Sequence, residues 1–136
     1  MFFDFFGSSS NTDTSNDREQ RERERKRDKL KDEIRDLKND IEHSKDRIRK
    51  EEMHLETYED DLKSNEDDLA DWKRKNTKWG RISITADRTL KNVCESEIER
   101  LEKVIRKQKN LIDSIKRDLR DEERELEKKK SELRYL

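Results

Sequence analysis

Residues 34–72 read IRDLKNDIEHSKDRIRKEEMHLETYEDDLKSNEDDLADW. Large aliphatics stand at every seventh place: Ile34, Ile41, Ile48, Leu55, Leu62 and Leu69. A second row follows the same order, with Ile98, Ile105, Ile112, Leu119, Leu126 and Leu133. Apolar residues recurring every seven positions among charges mark coiled-coil helices, because that period keeps one stripe turned to a neighbour. With these rows at the a positions, the d row of the first helix is Leu37, Ser44, Glu51, Tyr58, Asn65 and Trp72. That of the second is Cys94, Leu101, Gln108, Ile115, Glu122, Lys129 and Leu136. The a rows are filled and the d rows are half polar.

Composition agrees with a narrow seam rather than a layered core. Charged residues make up 52% of the 136 and hydrophobic ones 26%, with no proline. So few apolar groups cannot cover two packed layers, but a two-stranded coiled coil needs only two positions in seven. The net charge is −1, from 35 basic and 36 acidic side chains. Interspersed signs suit salt-bridged helix faces and give no global basic field for nucleic acid. One cysteine, Cys94, excludes an intrachain disulfide and fits a reducing compartment, so a cytoplasmic location is expected. No apolar run approaches a membrane-spanning length, and MFFDFFG at residues 1–7 lacks the basic leader of a signal peptide.

The two rows flank a break. Residues 76–86, NTKWGRISITA, depart from the period and hold Gly80. An irregular tip loop is expected there, with a small β-hairpin as the alternative, since Ile82 to Thr85 alternate and Gly80-Arg81 suits a tight turn. Helix 1 is expected over 17–75, with 17–33 a solvated charged extension and 34–72 the coiled-coil strand. Helix 2 is expected over 87–136. Residues 1–16 are expected to form a Phe-rich arm and a flexible linker, because Ser, Thr, Asn and Asp satisfy their own backbone in turns. The fold class is therefore all-α. Two helices joined by a short connection fold back as a long antiparallel two-helix coiled-coil hairpin, which could pair further into a four-helix assembly.

Two registers differ by one heptad. One sets Leu69 opposite Leu101; the other sets Leu62 opposite Leu101. Apolar matching does not separate them. Flanking charges favour the first, in which four of six e pairs attract, including Glu52–Lys116 and Lys45–Glu123. In the second, four of six repel. The first is expected on that ground, leaving everything before about Lys31 as an unpaired overhang.

Motifs for catalysis are few. His43 and His54 are eleven apart with no ligand at i+4, and no HExxH, CxxC, phosphate loop or GxSxG occurs. No enzyme activity, cofactor or metal is expected. Cys94 at a d position reads as a small buried apolar group rather than a nucleophile. The expected function is a non-enzymatic protein–protein interaction module: a structural subunit, adaptor or small inhibitor, with a homodimer among its forms.

The expected partner-binding residues are Phe2, Phe3, Phe5 and Phe6 of the arm, and Trp79, Ile82 and Ile84 of the tip. With them stand Leu90, Val104 and Leu111, an extra apolar strip at g positions of helix 2. The arm could equally cap the open end of the hairpin, and the strip could merely widen the seam. Two other functions compete. One is a peripheral membrane or organelle tether through residues 1–7, where four phenylalanines without nearby cations bind lipid weakly. The other is a nucleic-acid-associated protein using 18–29, where seven cations outnumber four acids.

Overall fold

Nothing in the chain interrupts a helix on either side of the break. Proline is absent, and short-range ion pairs lace the exposed faces. Arg35 lies 3.4 Å from Asp32, Arg49 3.4 Å from Asp46, Lys103 3.6 Å from Glu99 and Arg124 3.6 Å from Asp121. Pairs three or four apart meet on a helix surface and contribute a few tenths of a kcal/mol each, roughly. Polar side chains that compete with the backbone are turned back onto it. Thr57 Oγ1 donates to the Met53 carbonyl and Asn65 Nδ2 to that of Asp61.

The result is two helices, α1 (Phe2–Trp79) and α2 (Ile84–Arg134), forming an all-α antiparallel hairpin. The structure, a computed structural model, describes the backbone of residues 2–79 and 84–136 and the side chains of 15–75 and 89–136.

α1 exceeds its expected bounds at both ends, and α2 starts three residues earlier than expected and ends at Arg134. α1 takes in 2–16, which were expected as arm and linker. Once a helix is nucleated, Ser, Thr, Asn and Asp weaken it by only a fraction of a kcal/mol each, about 0.5 on host–guest scales, and extension adds a hydrogen bond per residue. A fold-back of the arm onto the hairpin end needs a reversal within 7–17, and the helix runs through it. At the tip, Trp79 closes α1 and Ile84 opens α2, so neither stands in a β-hairpin; 80–83 lie outside the described residues.

The chain divides into two compact units, one of Met1–His43 with Leu119–Leu136, the other Ser44–Asp118. In the first, Ile34, Ile41 and Leu126 form a buried cluster against which Leu37, Leu119 and Leu133 pack. Arg27 donates to the Leu136 carbonyl at 3.2 Å, and Lys129 Nζ lies 2.9 Å from Glu33. In the second unit, Leu101 is the most enclosed of the described side chains at 1% exposure, and Cys94, Ile105, Ile112, Ile115 and Ile48 are buried with it. Lys91 sits over the Trp72 ring, 5.5 Å from its centre, and Gln108 Nε2 donates to the Glu51 carbonyl at 2.9 Å.

These contacts fix the register in each unit, and it is the second one. The numbers of Trp72 and Lys91, and of Arg27 and Leu136, both total 163, which sets Leu62 opposite Leu101 and Leu37 opposite Leu126. The charge argument for the other register fails for a physical reason. Exposed pairs contribute little, and long side chains escape repulsion by turning. Lys116, which faces Lys45, swings to Glu52 at 3.3 Å; Glu95 turns to Lys91 at 3.8 Å and Lys130 to Glu127 at 3.7 Å.

Half-buried polar groups in the seam have less freedom, and an unpartnered one is costly. The observed register gives Glu51 the amide of Gln108, and Lys129 the carboxylate of Glu33. The other would set them against Leu119 and Ile41. It also brings Leu30 under cover at 9% exposure, so pairing begins near Arg27 and the solvated extension ends sooner than expected.

Candidate interaction surfaces

Seam formation uses the a and d rows and leaves a second apolar row on α2. Leu90 is 54% exposed and Leu111 36%, while Val104 between them is half-buried. These three lie at multiples of seven residues from one another and so share one face. The three positions of the strip therefore lie along one face of α2. One member was missed: Val93, 59% exposed, stands a turn from Leu90 on the same side. Its spacing of three from Leu90 was the available signal.

Charge along this face is organised by one pair. Arg100 Nε donates to Glu97 Oε2 at 3.1 Å, and its terminal nitrogen contacts the other carboxylate oxygen. That contact holds the Glu97 carboxyl below its ordinary range and raises the guanidinium. Lys107, a turn beyond Val104, is exposed. α1 carries nothing comparable: Met53, 67% exposed, is the one large apolar side chain of α1 left open among the described residues.

A second feature lies in the other unit. A groove of about 450 Å³ opens beside Leu30 and Leu136, with Tyr135 at its edge and Lys26, Lys29 and Lys129 around it. Lys129 is engaged by Glu33, which raises the lysine and holds the Glu33 carboxyl below its ordinary value. The segment 18–29 is exposed throughout.

The side chains of Phe2, Phe3, Phe5, Phe6, Trp79, Ile82 and Ile84 lie outside the described residues. Cys94 is a free, buried thiol. Among the described residues no group of His, Cys, Asp and Glu is placed to hold a metal ion, and no helix is long and apolar enough to cross a membrane. His54 lies 3.6 Å from Glu51, whose carboxyl is lowered chiefly by the Gln108 amide. Comparison with protein-family models, curated proteins and solved structures found no match.

Proposed function

We propose that this hairpin is a non-enzymatic interaction module, a structural subunit, adaptor or small inhibitor, that engages another protein through the outer face of α2. The observation that carries this reading is the apolar row in which intramolecular pairing leaves Leu90, Val93 and Leu111 open and Val104 half-buried between them. The a and d rows form the seam, and this row lies beside it. An exposed apolar row rimmed by charges is the usual form of a helix-docking face. A free thiol sealed in the seam suits a reducing compartment such as the cytoplasm.

The test is affinity capture with the intact chain and with a Leu90→Glu/Leu111→Glu variant whose helicity and unfolding temperature match it. A partner held by the first and lost by the second supports the reading. Equal recovery by both, or none by either, overturns it.

A further inference from the structure

The outer face of α2 has the spacing of a second seam. Positions 90, 93, 97, 100, 104, 107, 111 and 114 alternate steps of three and four, as the a and d rows do. They read Leu, Val, Glu, Arg, Val, Lys, Leu and Ser, so Leu90, Val93 and Leu111 lie toward the ends and the three charges stand in the middle around Val104. A face ordered this way can be tested against itself.

Parallel self-pairing would set Glu97 on Glu97, Arg100 on Arg100 and Lys107 on Lys107, three like-charge layers. Antiparallel pairing does the reverse. With Val93 opposite Leu111, Glu97 falls opposite Lys107 and Arg100 opposite Val104, and two-fold symmetry repeats every layer. Sliding by one heptad toward the tip pairs Glu97 with Arg100, which it already holds within its own helix, and strands Leu90 on Lys107. Sliding the other way sets Val93 on Asp118 and Arg100 on Leu111. Only the central register sets Val93 on Leu111 and gains Glu97–Lys107 pairs, with Leu90 over the small Ser114.

We propose that the outer face of α2 binds the same face of a second copy of this chain, antiparallel, with Glu97 of each copy meeting Lys107 of the other. The proposal rests on the interaction-module reading and names its partner. Arg100 keeps its guanidinium on Glu97 and lays its aliphatic stem over Val104 of the other copy. The contact spans 25 residues, from Leu90 to Ser114, on the order of 36 Å of helix.

Charge reversal tests it on the full chain. Sedimentation equilibrium should show a concentration-dependent dimer. Glu97→Lys alone and Lys107→Glu alone each turn both central pairs repulsive and should weaken dimerisation about tenfold, with helicity unchanged. Mixing the two single variants should restore a one-to-one heterodimer, and Glu97→Lys/Lys107→Glu together should restore the homodimer. A monomer at all concentrations, single variants that dimerise like the parent, or a mixture that fails to associate would each overturn it. If the chain is monomeric yet Leu90→Glu/Leu111→Glu still loses a captured partner, the second-copy proposal fails and the module reading stands.

Discussion

The two units lean toward opposite walls of their seams. In the Ser44–Asp118 unit most of the burial is on α2, at Cys94, Leu101, Ile105, Ile112 and Ile115, while on α1 Ile48 is buried and Leu55, Leu62, Leu69 and Trp72 are half-exposed. In the unit formed by Met1–His43 and Leu119–Leu136, Leu30, Ile34 and Ile41 of α1 are buried, while on α2 Leu126 is buried and Leu119 and Leu133 are half-exposed. The g row accounts for the difference. Val104 and Leu111 flank and shelter α2 in one unit; Glu125 and Glu132 occupy the same places in the other. Two stretches with the same seven-residue row thus differ in which helix is protected, because cover comes from the neighbouring row.

The largest expected effect is all-or-none. In a Cys94→Ser background, Leu62→Cys with Leu101→Cys should oxidise readily to a disulfide, and Leu69→Cys with Leu101→Cys should not, read by gel mobility without reductant. The reverse result would break the register described here.

Next come core truncations. Leu101→Ala should destabilise by about 3 kcal/mol and Leu62→Ala by about 1 kcal/mol, by denaturant unfolding. In the other unit the order of the helices inverts: Ile41→Ala should cost about 2 kcal/mol and Leu119→Ala about 1 kcal/mol. Equal losses from both walls would erase the contrast.

A smaller effect is expected at the seam polar groups. Gln108→Leu alone removes the donor to Glu51 and should lower the unfolding temperature. Glu51→Leu with Gln108→Leu together should raise it above the parent's, since apolar groups in adjacent seam layers need no hydrogen-bond partner.

The smallest effect is protonic. Glu33, Glu51 and Glu97 are each held below the ordinary 4.5 by a donor in the folded state. A carboxyl depressed by folding contributes stability that is present above its unfolded value and is lost as pH falls through its folded value. The unfolding temperature should therefore begin to fall below about pH 4.5, the ordinary value of all three groups. Added salt should raise the NMR titration point of Glu33, because screening weakens its attraction to Lys129. A titration point that does not move with salt would count against that pairing in solution.

Much of the hairpin is legible in the residues. The a rows, the absence of proline and the single break at Gly80 are local signals, and each is strong alone. The register is not local. It depends on where Gln108 and Lys129 find partners across the seam, and a list of exposed charges obscures this because Lys116 and Glu95 can turn away. The helical start at Phe2 was hidden by a run of Ser, Thr, Asn and Asp, whose weak preferences yield to an adjoining helix. Of the interaction surface, Leu90, Val104 and Leu111 were visible through their sevenfold spacing. Val93 was not, because it belongs to the row between.

Cys94, the only thiol of the chain, is 5% exposed and sealed opposite Leu69. An alkylating reagent can reach it only when the helices part there. Its modification rate under native conditions therefore counts those partings, and the ratio to the rate in denaturant gives their free energy. The same sealing guards the chain against air. Two copies cannot become covalently joined through this sulfur until the helices of both have parted there.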